Sequence, residues 1–545
     1  MAQDLGTFDY IVVGAGSAGC VLARRLSDAP GTSVLLLEAG GSGRNPLYGL
    51  PMLAGRLNRL KMNNWSYQTE PQQHLDGRTV FLPRGKMVGG SFMFNGAVYI
   101  RGNAYDYDCW RQMGNVGWSY ADVLPYFRRS ERYDGGESLY HGDDGPLPVS
   151  HAGRVNPLAD VFIRAGIEAG YPANADFNGA SQDGFGRHDH NIRAGKRRTT
   201  ASAFLSDAAS RKTLRIVPGA HASRITIEDG RATGIELTRG GEPATARVRR
   251  EIVVASGAVN TPQLLMLSGL GPAAHLAECG IDLIRDLPGV GGNLQDHLVM
   301  TVGHACLQPV SLVDTLRIEK FFIQAARCVL LGNGPVAMSP IHAGGFIRTE
   351  RGLPAPDCQI AFYPILGSSP SAGTPRLLWP WEHKPHSYAG VVWRNRPVSR
   401  GTVRLRTGDV RGPMRIDPNY LSDASDMAVT KRAIWELRRI FAQKAFDPYR
   451  GEELVPGGPV RSDADMEACI RAGGLSGYHL SGTAQMGHDP LAVVDDQLRV
   501  RGIEGLRVAD ASIIPLIITG NTNAATIMIA EKASDLLLDG PPRRA

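Results

Sequence analysis

Apolar and polar positions lay out the elements of this chain. Residues 8–13 form a short run that closes on Ile11, Val12 and Val13, with the length and β-branched content of a buried strand. A glycine-rich turn follows at once and opens a helical run through Leu26. A second apolar strand, residues 33–37, ends on Glu38. Residues 251–257 read as a later strand of the same sheet, with Thr261 and Pro262 as cap and first residue of the next helix. Residues 358–363 and 401–405 are strand-like, residues 505–512 form a strand, and a helix runs from about 524 to 538. Apolar strands joined through helices predict an α/β fold.

The turn after the first strand is Gly14-Ala15-Gly16-Ser17-Ala18-Gly19. Gly14 permits the tight turn, Gly16 lets backbone N–H groups approach a pyrophosphate, and Gly19 lets the helix pack on the strand. Glu38 stands nineteen residues beyond Gly19, where a carboxylate accepts hydrogen bonds from an adenosine ribose and argues against a 2′-phosphate. Strand, turn, helix, second strand and acid in register make this a dinucleotide site. No second GxGxxG follows a later strand, so one dinucleotide is expected, and the fingerprint alone does not separate FAD from NAD.

Composition narrows the class. A chain of 545 residues implies two or three structural units. With 43% hydrophobic and 21% charged residues, neither disorder nor a fibrous repeat is indicated. The net charge of +6 is spread along the chain, with no basic, aromatic-studded stripe for nucleic acid. Lys196-Arg197-Arg198 and Arg543-Arg544 read as solvated loop and tail charges. The seven cysteines are far apart and lack a CxxC pair, which fits free thiols in a reducing, cytoplasmic compartment. Residues 1–7 lack the basic, apolar pattern of a cleaved leader. No apolar stretch of about 18 residues suits a spanning helix, and peripheral membrane contact stays open. His188, His190, His342 and His488 show no metal-ligand spacing, so no metal is expected.

Five segments make the chain resemble the glucose–methanol–choline (GMC) oxidoreductases from about residue 8 to about 538. They are the glycine turn; Arg84-Gly85-Lys86-Met87-Val88-Gly89-Gly90-Ser91 with Asn95-Gly96 and Arg101-Gly102; Gly257 to Leu265 with Ser268-Gly269-Leu270-Gly271; Gly292-Asn293-Leu294-Gln295-Asp296-His297; and the block from Tyr478 to Lys532. Within the family the likeness is to the bacterial branch of choline, sorbose and aliphatic alcohol dehydrogenases. It implies a Rossmann-like FAD-binding domain of residues 1–155, 213–300 and 472–545. A substrate-binding domain of residues 156–212 and 301–471 would be built on a mixed or antiparallel sheet roofing the flavin. Some relatives attach FAD through a histidine just before the signature asparagine; Phe94 stands there, so a noncovalent flavin is expected.

The resemblance also implies site residues. FAD would lie against Gly14, Gly16, Ser17, Ala18 and Gly19, with Glu38 and Ala39 at the ribose and Ala222 at the adenine. Arg84, Val88, Gly89, Gly90, Asn95, Gly96, Ala97 and Val98 would follow the pyrophosphate and flavin, as would Ser256, Gly257, Asp510, Ala511, Asn523 and Ala524. The family's catalytic pair corresponds to His479 and Asn521. The reaction expected is oxidation of an alcohol CH–OH to a carbonyl by hydride transfer to flavin N5. His479, with a pKa near about 6.5, would take the hydroxyl proton while Asn521 positions the oxygen. The first backbone N–H groups of the last helix would face the flavin.

Phe92, Phe94, His342, Phe362 and Tyr478 are expected to shape the substrate pocket, along with Tyr363 and Trp393. In choline-type relatives a carboxylate precedes Ala-Gly-Gly-Phe and meets the ammonium group. His342 stands there, which suggests a primary alcohol other than choline. The acceptor would be oxygen, a quinone or a dye. A hydroxynitrile lyase-like enzyme on the same fold and a non-catalytic flavin-binding protein are the alternatives.

Overall fold

A computed structural model of the chain describes residues 2–53, 57, 61–151, 156–367, 378–379, 382 and 384–538; the Arg543-Arg544 pair lies outside them. Its first sheet has seven strands. Gln3–Val13 runs at the centre, parallel to Val34–Glu38 on one side and Glu242–Val254 on the other, with Leu214–Pro218 parallel beyond Val34–Glu38. Tyr10 to Val13 and Val34 to Leu37 are all buried, as a parallel sheet covered on both faces requires. Arg231–Arg239 and Ala220–Glu228 extend the sheet antiparallel from the first half of Glu242–Val254. Leu506–Val508 pairs parallel with its second half. The helix Ser17–Asp28 follows the first strand, and Asn523–Leu537 packs against it.

The second sheet is antiparallel, in the order Arg450–Val455, Leu298–Cys306, Ser387–Arg394, Cys358–Tyr363, Ala343–Ile347, Gly184–Arg187, with Leu475–Ser476 also paired to Leu298–Cys306. One face packs on the helices Pro157–Glu168 and Ala424–Phe441. Phe362 stacks on Phe162 at 4.7 Å between ring centroids and meets Phe441 on this face. Each such fully buried side chain contributes roughly 1.5–3 kcal/mol. Alternation then turns Gln359, Ala361 and Tyr363 the opposite way.

Three sequence expectations need correcting here. Residues 401–405 do not join the roof: Thr402–Leu405 pairs only with Met414–Asp417, as a separate ribbon. The helix assigned to start at Pro262 runs Gly257–Leu267, with Ser256 as cap and Pro262 inside it. Proline there has no N–H for the Ala258 carbonyl, and Thr483 Oγ1 donates to that carbonyl instead, at 2.7 Å. Arg197 is not solvated but buried. In the strand Lys196–Arg197 only the lysine faces out, and Arg197 donates to Asn95 O at 2.6 Å and Asn95 Oδ1 at 2.7 Å.

Among the described residues no helix is long and apolar enough to cross a membrane, and no group of three His, Cys, Asp or Glu side chains could hold a metal ion.

Candidate active site

Between the two sheets lies a cavity of about 670 Å³, reaching from Gly14 and Glu38 at one end to His479 and Asn521 at the other. Its nucleotide end follows from the glycine turn. Gly14 has φ +98°, and a Cβ there would meet Ala255 O at 2.6 Å, while one on Gly19 would strike Gly14 O at 1.8 Å. Glu38 accepts from Ala15 N at 3.0 Å and Gly40 N at 2.8 Å. Burial nevertheless pushes its carboxyl pKa up, which makes a hydroxyl partner welcome. The N-termini of three helices, Ser17–Asp28, Gly257–Leu267 and Asn523–Leu537, line the cavity, and none has a side-chain bond from its cap residue. Asp510 accepts from Gly257 N at 2.7 Å and Thr261 Oγ1 at 2.6 Å. The Ser17–Asp28 terminus turns N–H groups and its positive dipole end toward the cavity, which suits an anionic diphosphate, and the Asn523–Leu537 terminus does so two residues beyond Asn521, where it suits the flavin. Ser17 Oγ donates to Asn523 Oδ1 at 2.7 Å and ties them together. Cavity volume, glycine cradle, ribose-side acid and uncapped helices all fit FAD.

At the far end His479 Nε2 lies 3.0 Å from Asn521 Nδ2. Its backbone N–H donates to Asp296 Oδ1 at 2.7 Å, and Asp296 Oδ2 accepts from Tyr420 Oη and Ser476 Oγ, each at 2.5 Å. His479 Nδ1 lies 2.8 Å from His297 Nδ1. Burial first, then electrostatic interaction with the His297 ring and the Arg84 cation, holds the His479 pKa well below the ordinary imidazole value. The free-histidine value of about 6.5 assumed from sequence is therefore corrected: burial keeps this ring neutral across the neutral range. Tyr478, just before it, adopts φ +66°. Its carbonyl accepts from the Arg84 guanidinium and its N–H donates to Ser476 Oγ at 2.8 Å.

The second sheet roofs this end with Val299, Ala361, Tyr363, Val391, Trp393 and Gln359, while Phe92, Phe94 and Tyr478 add further walls. Among the described residues, buried Gln359 Oε1, Trp393 Nε1, Asn521 Oδ1 and both ring nitrogens of His188 have no hydrogen-bond partner. A buried polar atom left unpaired costs about 1–3 kcal/mol, so these atoms point to a ligand or water. Among the lining residues the carboxylates are Glu38 and Asp510, both at the nucleotide end.

Most residues expected from sequence are brought together here: Gly14, Gly16, Ser17, Ala18, Glu38, Ala39, Arg84, Gly90, Asn95, Gly96, Ala97, Val98, Ala222, Ser256, Gly257, Asp510, Ala511, Asn521 and Asn523 line the cavity. Gly19, Val88, Gly89 and Ala524 stand behind the lining. Two substrate candidates do not face it. Phe362 is on the other side of the roof, and His342 is buried away from the cavity, its Nδ1 accepting from Asn156 N at 3.1 Å. Sequence reasoning gave no role to His297, Gln359 or Asp296. Only the run Asn293 to His297 hinted at two of them.

A family model described as GMC oxidoreductase matches residues 8–299, and its C-terminal counterpart matches residues 397–530. An oxygen-dependent choline dehydrogenase of Rhizobium etli is 43% identical over 536 residues, 98% of this chain and 96% of its own length. Its namesake in Burkholderia multivorans is 44% identical over 540 residues, 98% and 94% of the two chains. The solved structure of pyridoxine 4-oxidase from Mesorbium loti superposes with a TM-score of 0.86 at 32% identity, over 97% of this chain and 98% of that one. A formate oxidase of Aspergillus oryzae RIB40, studied for FAD modification, gives 0.90 at 27% identity over 98% and 99%.

These relatives overturn the expectation of a primary alcohol other than choline. That expectation rested on His342 replacing a carboxylate, and His342 does not face the cavity, so the residue type at 342 says nothing about a cation inside it.

Proposed function

The chain belongs to the GMC oxidoreductase family and is an FAD-dependent oxidoreductase acting on CH–OH donors; from that premise we propose that it oxidises choline or a closely related quaternary-ammonium alcohol. In this reading His479 is the base that takes the hydroxyl proton and Asn521 holds the oxygen. The observation that carries it is the pair of atoms His479 Nε2 and Asn521 Nδ2, 3.0 Å apart on the wall of an FAD-sized cavity. FAD, when bound, supplies the redox chemistry by accepting the hydride that leaves the carbinol carbon.

A hydroxyl oxygen seated beside this pair, within hydrogen-bond reach of both nitrogens, gives its proton to Nε2 and accepts a hydrogen bond from Nδ2. As alkoxide character develops, the Asn521 donor stabilises it without ionising. The apolar roof excludes water and strengthens both interactions. Among the described residues the ammonium group has no carboxylate to meet at this end, so the rings of Trp393, Tyr363 and Tyr478 hold it. The unpaired carbonyl oxygens of Gln359 and Asn521 add partial negative charge beside it. Cation–π contacts of this kind contribute about 0.5–2 kcal/mol each when desolvated.

The relatives named oxygen-dependent support oxygen as the acceptor. Phe94, which lines the cavity, offers no atom to bond the flavin, supporting a noncovalent cofactor. The seven free cysteines support a cytoplasmic location. The two sheets support a division into cofactor and substrate domains, although Leu298–Cys306 crosses the boundary at 300 and Leu475–Ser476, assigned to the cofactor domain, pairs in the second sheet.

The test compares kcat/KM for choline with that for its carbon isostere, in which a quaternary carbon replaces nitrogen. Choline is expected to be preferred by at least about tenfold, equivalent to ~1.4 kcal/mol. Equal turnover of the two would remove the cation from the account and leave alcohol oxidation standing.

A further inference from the structure

His297 sits directly behind the base. Its ring is fully buried, lies at 29° to the Trp393 ring at 6.2 Å between centroids, and stands at 81° to the His479 ring at 5.0 Å. His297 Nε2 is 2.7 Å from the backbone carbonyl oxygen of Asn395. A carbonyl can only accept, so the Nε2 proton is on His297. Among the described residues no carboxylate is hydrogen-bonded to this ring, and burial drives its pKa down to about 4. A neutral ring protonated at Nε2 has a lone pair at Nδ1. The proton between the two Nδ1 atoms, 2.8 Å apart, therefore belongs to His479. Neutral His479 protonated at Nδ1 is bare at Nε2, the atom that meets Asn521.

We propose that His297 is a positioning residue: it fixes His479 as the Nδ1–H tautomer and aims the lone pair of Nε2 at the substrate hydroxyl. This rests on the reading of His479 as the base. The anchor is rigid, because Asn395 N donates to Asp357 O at 2.7 Å and Asn395 Nδ2 to Pro356 O at 3.2 Å. Adjacent residues thus hold the base in two ways, Asp296 by its backbone N–H and His297 by its ring. A carboxylate in the place of His297 would orient the imidazole and also raise its basicity. A neutral imidazole orients it without adding negative charge, in keeping with the low basicity of His479.

The experiment compares His297→Leu, His297→Asn and His479→Ala as holoenzymes. Leucine removes the acceptor, whereas asparagine places Oδ1 where the ring had Nδ1. The His297→Leu change is expected to lower kcat by about 10²-fold or more, with KM and bound FAD per protein within about twofold of the parent. His297→Asn recovers most of the loss. Nitrogen-15 spectra of histidine-labelled parent enzyme, assigned by the signal missing in His479→Ala, show His479 protonated at Nδ1 and bare at Nε2.

Unimpaired kcat in His297→Leu, failure of a folded His297→Asn to recover activity, or a His479 ring protonated at Nε2 in the parent would overturn the proposal. The spectrum decides it even if His297→Leu does not fold. If His479→Ala keeps turnover, the base assignment itself falls. If His479→Ala is inactive and His297→Leu is not impaired, only the positioning role falls.

Discussion

The backbone at Tyr478 is the strained point of the site. A bulky side chain at φ +66° costs of order 1–3 kcal/mol and persists only where neighbours over-determine it. Here Arg84 takes the carbonyl, Ser476 the N–H, and Asp296 the next N–H. The same set of groups fixes the pH behaviour of the base. Burial first, then electrostatic interaction with the His297 ring and the Arg84 cation, depresses the His479 pKa; Asp296, whose own pKa is raised by burial, accepts from its N–H. A base acts when unprotonated, so depression extends activity toward acid. The acid limb of kcat/KM is expected below pH 6.5, the ordinary histidine value, and Arg84→Met should move it upward. A limb at or above that value in the parent would contradict the account. His479 and Asn521 are legible in the sequence because short runs frame them. His297 is not, because its role depends on a carbonyl 98 residues away. Arg197 misleads for another reason: three adjacent cations look solvated until strand alternation buries the middle one.

At the level of elements, sequence periodicity places the strands and fails where partners come from far along the chain. The helix Gly257–Leu267 starts before its proline because Thr483 satisfies the carbonyl that Pro262 leaves free. Read locally, a proline after a threonine marks a helix start, and nothing nearby reveals the distant donor. Removing that donor by Thr483→Val should cost about 1–2 kcal/mol in urea unfolding. In a Pro262→Ala background, where an amide N–H can serve Ala258, the same change should cost clearly less. An equal cost in both backgrounds would refute this explanation of the helix. The ribbon of residues 402–405 carries a similar lesson, since a strand pattern does not say which sheet it joins.

Across the whole molecule, the two sheets enclose one long cavity whose ends have different chemistry: the glycine turn and the uncapped terminus of Ser17–Asp28 at one, an imidazole and a carboxamide under the roof at the other. The first sheet and its glycine turn are legible from residues 8–38 alone. The roof's facing residues emerge only once strand register is known. Buried histidines also tie stability to pH. Burial holds His188 and His342 down to about 3 and His190 and His297 to about 4. Unfolding lets them bind protons below 6.5, so their contribution is present above that value and lost as pH falls. Burial alone would lower His141 too, but hydrogen bonds to Asp176 and Glu131 outweigh it and raise it to about 9. Its contribution is present below 6.5 and lost as pH rises through 9. The urea midpoint of the holoenzyme, measured between about pH 5 and 9, should therefore peak near 6.5. A midpoint that climbs steadily toward either end would contradict these assignments. The most direct test of the central claim is anaerobic mixing of choline with holoenzyme, following flavin absorbance in the parent and in His479→Ala at equal FAD content. The account predicts rapid bleaching in the parent and a rate at least about 10²-fold slower in the variant. Bleaching at the same rate in both, or none in the parent, would contradict it.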